Sequence, residues 1–123
     1  MTVQGFTDQG STTADNLIAG EFPRASELAT ITGGNYARGT ILGQITASGK
    51  YKICTSAASD GSSSPCAILA EAADASSEDK QAVVYLTGEF NATALTAGTG
   101  HTVAGLKASL RANSIFLKTN QAY

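Results

Sequence analysis

The segment QAVVYLTGEF, residues 81–90, carries the strongest β-strand pattern in the chain. Ala82, Val84 and Leu86 fall on one face of an extended strand, and β-branched and aromatic side chains fill the other face. A strand that can bury both faces belongs in the middle of a sheet. We therefore expect a mainly β fold in which this segment is a central strand.

Shorter strand patterns precede this segment. Residues 27–32 and 40–46 end at turn signals, and a Ser-Gly turn joins the second of them to residues 50–54 in a predicted hairpin. Residues 66–70, CAILA, form a short apolar run that is typical of a buried strand. Residues 55–65, between the predicted hairpin and this apolar run, are polar and predict a mobile surface loop.

One helix is predicted near the end of the chain. Thr102 is a suitable N-cap, and Val103, Leu106 and Leu110 recur at helical spacing. Residues 115–118, IFLK, follow as a last strand. The fold class predicted from the residues is therefore a mainly β body with one short α-helix.

The chain of 123 residues is long enough for one folded unit, but its core is lean. Apolar residues make up 42% of the chain, and 21 of them are Ala, which buries little surface. A lean core in a small protein needs support from a disulfide, a metal or a partner subunit. We expect this support to come from oligomerisation.

The first residues differ in composition from the rest of the chain. Residues 1–16 are rich in Thr, Gly, Gln and Asp, with only Val3 and Phe6 as sizeable apolar side chains. Such a segment buries too little surface to offset the entropy lost on ordering, so we expect a flexible N-terminal arm ahead of a folded domain at residues 17–123. The junction between arm and body is expected at Leu17, Ile18, Phe22 and Pro23.

Charge and hydropathy argue against nucleic acid and membrane partners. The net charge is −2, and the 8 Lys and Arg residues are scattered, whereas nucleic-acid binders present a basic face. The longest apolar runs, residues 67–70 and 82–86, are far shorter than the roughly 18 to 20 residues of a membrane span. The first residues also lack the features of a secretory signal. We expect the protein to be made in the cytoplasm and to stay there unless something carries it elsewhere.

No catalytic, cofactor or metal site is predicted. The single histidine, His101, is expected at the surface, and no GxSxG, GxGxxG or Walker pattern is present. Cys54 and Cys66 match no CxxC pattern. Two free thiols are the favoured interpretation, and a disulfide between them is the alternative. A zinc site would require both cysteines to converge with His101. Acidic residues close in sequence are expected to be solvated turn carboxylates, namely Glu71, Asp74, Glu78 and Asp79.

Two other functions fit parts of the sequence. A glycan- or surface-binding β module is suggested by the Ser-rich loop and by three tyrosines taken as exposed, namely Tyr36, Tyr51 and Tyr123. Residues 38–45, RGTILGQI, which lead into the predicted hairpin, are similar to the strand that enters lipoyl and biotinyl carrier domains. In such a carrier the modified lysine would be Lys50 or Lys52, which here lack flanking methionines.

Four segments carry a resemblance to a known family. They are residues 38–51 (RGTILGQITASGKY), 65–71 (PCAILAE), 84–91 (VYLTGEFN) and 110–118 (LRANSIFLK). Together, in this order and spacing from about Leu17 to the end, they resemble the head decoration protein family of lambda-type tailed bacteriophages. Two features depart from it: Ser114 stands where Gly is expected, and the loop around Ala72 and Ala73 is less acidic.

The resemblance implies a non-enzymatic structural protein of the virion without a cofactor. Its body would be a small β-barrel-like fold called a β-tulip, assembled as a homotrimer and seated at threefold positions outside the expanded phage capsid, in a particle built in the host bacterial cytoplasm. In that family the arm becomes ordered on the capsid by adding a strand to the major capsid protein. The residues expected to bind in this way are Thr2, Val3, Gln4, Phe6 and Thr7.

Overall fold

The computed structural model describes residues 17–20 and 23–118. Over these residues the fold is mainly β, as predicted, with a closed barrel of five strands and a single α-helix. In chain order the elements are β1 (Ser26–Ile31), β2 (Asn35–Tyr36), β3 (Ile41–Gln44), β4 (Tyr51–Ile53), β5 (Pro65–Leu69), β6 (Ala73–Asp74), β7 (Lys80–Tyr85), β8 (Gly88–Asn91), a 3-10 turn (Ala92–Ala94), α1 (Val103–Arg111) and β9 (Ile115–Lys118).

The barrel strands follow the order β1-β4-β3-β5-β7. All neighbouring strands are antiparallel except β1 and β4, which are parallel and meet at one residue pair, Ile31 with Tyr51. Strand β7 pairs with both β1 and β5, so the predicted central position of this segment is confirmed. The predicted hairpin is also confirmed, since Leu42 lies opposite Ile53 across β3 and β4.

The first apolar cluster takes side chains from every barrel strand. Alternate residues of β1 and β7 point into it, because successive side chains of a strand leave on opposite faces. Ile31 and Val84 are fully buried there, and Ala82 is 1% exposed. The other buried members are Ala29, Tyr36, Leu42, Tyr51, Ala67, Leu69, Ala73 and Ala75. Small residues are frequent, so the interior is narrow.

A second apolar cluster lies outside the barrel, between its wall and a layer made of α1, β8 and β9. Ile41 and Ile68 contribute from the barrel, and Leu106 and Leu110 contribute from the buried stripe of the helix. The helix begins as predicted, since the Thr102 hydroxyl oxygen accepts a hydrogen bond from the Gly105 N–H at 2.9 Å. The cluster also contains Leu17, Cys54, Phe90, Leu95, Ile115 and Leu117.

The prediction of one strand over residues 81–90 is wrong, because the chain bends between β7 and β8. Gly88 has a φ of +146°, a conformation that L side chains rarely adopt, and a Cβ there would lie 2.9 Å from the Phe90 ring. After this bend β8 pairs in parallel with β9, with Gly88 opposite Ile115. One local pattern therefore supplies a strand of the barrel and a strand of the layer that covers it.

The polar segment at residues 55–65 is fixed to the body instead of standing free in solvent. Ser62 is fully buried, and its N–H and hydroxyl both donate to one carboxylate oxygen of Asp60, at 3.0 and 2.6 Å. The Thr46 N–H donates to the Asp60 carbonyl at 2.9 Å. Gly43 leaves no room for a Cβ, because the Ser62 carbonyl packs against it. The loop therefore follows the wall of the barrel closely.

Candidate functional site

The predicted binding residues divide between the described and the undescribed parts of the chain. The junction residues Leu17, Ile18 and Pro23 belong to the described part, whereas Phe22 does not. The predicted capsid-binding residues also lie outside the described residues, namely Thr2, Val3, Gln4, Phe6 and Thr7. The structure therefore defines the base from which the predicted arm would extend.

Leu17 fixes this base in the second apolar cluster, where it is 2% exposed. Its carbonyl accepts a hydrogen bond from the Asn91 N–H at 2.8 Å, and Ile18 forms an antiparallel bridge with Phe90. The Ala19 N–H then donates to the Glu89 carbonyl at 3.0 Å. Residues 17–19 thus continue the sheet on one edge of β8, while β9 occupies the other edge.

Thr87 holds the chain again where it enters β1. Its hydroxyl donates to the Pro23 carbonyl at 2.8 Å and accepts from the Ala25 N–H at 2.9 Å. Pro23 itself is exposed, so its contribution is its backbone and not its side chain. The base of the predicted arm is therefore attached on both sides of residues 21–22, and both attachments reach the β7–β8 bend or β8.

The sequence pattern assigns no binding role to two of the residues in this arrangement, Thr87 and Asn91. Asn91 is 3% exposed, and its side-chain oxygen accepts from the Thr93 hydroxyl at 3.0 Å where β8 turns into the 3-10 turn. An Asn two residues before a Thr is a local Asx-turn signal that could have placed this turn. No local signal identifies Thr87, whose partners lie 62 and 64 residues away.

His101 and Cys54 meet at the carbonyl oxygen of Ser63. The Nε2 atom of His101 lies 3.1 Å from that oxygen, and the Cys54 thiol donates to it at 3.3 Å. Burial raises the pKa of the Cys54 thiol to about 11, with a smaller contribution from Cys66, so the thiol is protonated near neutral pH. A carbonyl cannot act as a base for either group, and the contact ties the Ser-rich loop to the loop before α1.

The two thiols are free, and they belong to different apolar clusters. Cys54 is buried in the cluster outside the barrel, whereas Cys66 packs against the cluster inside it. This separation by the barrel wall agrees with the favoured interpretation of two free thiols, and it gives no support to a site in which both thiols converge with His101. Over residues 17–20 and 23–118, no group of three His, Cys, Asp or Glu side chains could hold a metal ion.

The acidic residues of the loops make local contacts. A Glu71 side-chain oxygen accepts from the Val83 N–H at 2.9 Å, and Asp79 pairs with Lys50 at 2.6 Å. Glu78 pairs with Lys80 at 2.8 Å. These carboxylates support the turns beside the barrel.

In the part of the chain that the structure describes, no helix has the length and apolar character to cross a membrane.

Two of the three tyrosines that suggested a glycan-binding surface, Tyr36 and Tyr51, are buried. Tyr36 is 8% exposed and Tyr51 is 7% exposed, since both rings pack into the barrel cluster. The Tyr36 hydroxyl is used internally, donating to the Thr32 carbonyl at 3.1 Å. Tyr123 lies outside the described residues. The assumption that Tyr36 and Tyr51 are exposed is therefore wrong, because their rings are part of an apolar cluster in which many of the other side chains are alanines.

The lysines that a carrier domain would modify are held in ion pairs on the barrel wall. Lys50 precedes β4 and pairs with Asp79, while Lys52 lies within β4 and is 3.5 Å from Asp60. The tip of the hairpin, at residues 46–49, contains no lysine. The geometry of a lysine presented at a hairpin tip is therefore not found here.

Comparison with protein families shows what the chain is similar to. A family model described as bacteriophage lambda head decoration protein D matches residues 7–115, which is most of the chain. The matched region includes the whole barrel, the covering helix, the anchored residues 17–19 and part of the predicted arm. No curated protein gives a significant match.

Proposed function

Since this chain belongs to the bacteriophage lambda head decoration protein family, we propose that it binds the outside of the expanded capsid as a homotrimer at threefold positions and clamps neighbouring subunits of the major capsid protein. The family match is the observation that carries the proposal. In this role the protein is a structural component of the virion and stabilises the head. It would join the particle during assembly in the host cytoplasm.

The segments of the resemblance support the proposal because two of them build the sheet that holds residues 17–19, the base of the predicted arm. Residues 38–51 contain β3 and the turn that leads into β4, and residues 84–91 contain the bend and all of β8. Residues 110–118 end the helix and form β9, which pairs with β8. The two-stranded sheet of β8 and β9, whose β8 edge anchors Leu17, is therefore built from two of the four segments.

The proposed binding element is the arm at residues 1–16, which would pair with an extended segment of the capsid protein. Strand addition uses backbone hydrogen bonds for affinity and alternate side chains for specificity. The residues proposed to form this strand are Thr2, Val3, Gln4, Phe6 and Thr7. The buried Leu17 and the bridge from Ile18 to Phe90 support this mechanism. When the base of an arm is fixed in the folded body, binding of the arm to a partner also holds the body to that partner.

Trimer formation would give the clamp its strength. Ordering an arm costs about 1 to 2 kcal/mol per residue, so a single arm gains little net free energy from pairing. When three arms belong to one rigid body, the second and third attachments are intramolecular, and the affinity rises by about 10² to 10⁴ without any new kind of contact.

Co-sedimentation with expanded phage heads tests the proposal. The full chain at micromolar concentration should pellet with the heads, and a chain without residues 1–16 should remain folded and stay in the supernatant. Val3→Pro, which removes a backbone donor from the proposed strand, should weaken binding, whereas Gln9→Pro, outside the named strand residues, should change it little. Failure of the full chain to pellet refutes capsid binding, and full binding by the shortened chain refutes the arm mechanism.

Sedimentation equilibrium tests the trimer separately. A trimeric protein has three times the 12.5 kDa mass of one chain. The measurement should be made free in solution and again after release from heads. A single-chain mass in both samples would contradict the trimer while leaving capsid binding intact.

A further inference from the structure

A cavity of about 330 Å³ opens on the outer face of the layer that covers the barrel. It lies between the 3-10 turn, the first half of α1 and the end of β9, and Leu117, which is 7% exposed, forms part of its wall. The rest of the wall is mainly small and apolar. The residues that matter for its chemistry are Ala92, Val103, Ala104, Leu117, Lys107 and Lys118.

The charge around this cavity is positive although the chain carries a net charge of −2. Helix α1 contains Lys107 and Arg111, and it has no acidic residue that could neutralise their charges. Lys118 lies 3.6 Å from Glu89, whereas Lys107 has no ion pair within the described residues. An apolar cavity with one unneutralised ammonium group complements an apolar group that bears an anion.

We propose that this cavity is a second docking site on the body of the protein, and that it receives an apolar side chain next to a carboxylate on an extended segment of the capsid protein. The inference rests on the proposed function, since it names a further contact with the same partner. A cavity of this volume is at the lower end of the range for small ligands and has room for one or two side chains. The Lys107 ammonium would pair with the carboxylate while Ala104, Val103 and Leu117 contact the apolar part.

This contact would complement the arm. The arm attaches through backbone pairing, which tolerates many sequences, whereas an apolar cavity with a cation selects side chains. A contact on the rigid body also costs less ordering entropy than a contact made by a segment of many residues. The cavity would therefore fix the orientation of the body on the shell.

Three substitutions test the site and leave the core untouched. Ala104→Leu fills the cavity from an exposed helix position, and Ala and Leu are both strong helix formers, so the fold should be kept. Lys107→Gln removes the free cation. Arg111→Gln is the matched control, because it removes the same charge one helical turn further along, outside the cavity wall.

Binding to expanded heads gives the first readout. Ala104→Leu should weaken the affinity at least tenfold, Lys107→Gln should weaken it about threefold in low salt, and Arg111→Gln should match the parent. If the parent does not bind heads, the proposed function fails and this inference fails with it. If the parent and all three variants bind equally well, the cavity is not a docking site and the proposed function stands.

An NMR titration of the isotope-labelled protein gives a second readout that needs no heads. The probes are 3-phenylpropanoate and its neutral amide, which share one apolar group and differ in charge. The carboxylate should shift the amide signals of Ala104, Lys107 and Leu117 with a roughly millimolar dissociation constant, and the neutral amide should bind several-fold more weakly. Equal binding of both probes refutes the role of Lys107. Carboxylate binding together with unchanged head binding by the variants assigns the cavity to a small molecule and overturns the proposal for a protein segment.

Discussion

Ser114 is the one residue other than glycine with a positive φ in the described part of the chain, at +63°. It lies between α1 and β9, where its N–H donates to the Arg111 carbonyl at 3.0 Å and its carbonyl accepts from the Gly88 N–H at 3.1 Å. The left-handed conformation is therefore required to direct the chain from the helix into the parallel pairing with β8. The Ser114 hydroxyl has no hydrogen-bond partner among the described residues, so the side chain offers no compensation.

Replacing this residue by glycine should stabilise the protein. A side chain with a Cβ costs roughly 1 to 2 kcal/mol in the left-handed region. Glycine removes that cost but gives the unfolded chain extra freedom, worth about 0.4 to 1 kcal/mol. The net gain for Ser114→Gly is therefore about 0.5 to 1 kcal/mol, which corresponds to a rise of about 2 to 4 °C in the melting temperature of a chain of this size.

Urea denaturation measures this gain against a matched control. Ser114→Gly should raise the midpoint by about 0.5 M without changing the slope of the transition. Ser109→Gly makes the same chemical change at an exposed position inside α1, where glycine should lower the stability by about 0.5 kcal/mol. A lower or unchanged midpoint for Ser114→Gly, alongside the expected loss for Ser109→Gly, would refute the strain at this turn.

Three further predictions follow from buried or hydrogen-bonded groups. Leu17→Ala should cost about 2 to 5 kcal/mol of stability in urea, whereas Leu28→Ala, at a position 61% exposed, should cost less than about 0.5 kcal/mol; similar losses would contradict the anchor. In a Cys66→Ser background, the buried Cys54 thiol, with its pKa raised to about 11, should react with a disulfide reagent at pH 8 only as fast as the protein opens; immediate reaction would show that it is accessible. Hydrogen bonds from a neighbouring serine lower the pKa of Asp60, so the stability that its carboxylate contributes is present above the unfolded pKa of about 3.9 and is lost as the pH falls through the lower folded value. Asp60→Asn should therefore destabilise the protein more at pH 7 than at pH 2. An equal effect at both pH values would count against this assignment.

Much of the candidate site could not be predicted from local pattern. The sequence placed the arm boundary at Leu17, and the structure buries that residue; but the strand that holds it, β8, was merged with β7 in the prediction. The bend depends on Gly88 and on its contact with Ser114, which is distant in sequence. The arm residues themselves stay a prediction, because they lie outside the described part of the chain.

Local sequence determined where the helix and most of the longer strands lie, because side-chain alternation and an N-cap such as Thr102 act over a few residues. Tertiary structure alone decided how these elements are joined. The barrel closes where Ile31 pairs with Tyr51, and Tyr51, which the sequence left on the surface, packs into the cluster inside the closed barrel. The physical reason is that a strand's two edges look alike in sequence, so its partners are chosen by packing between residues far apart in the chain.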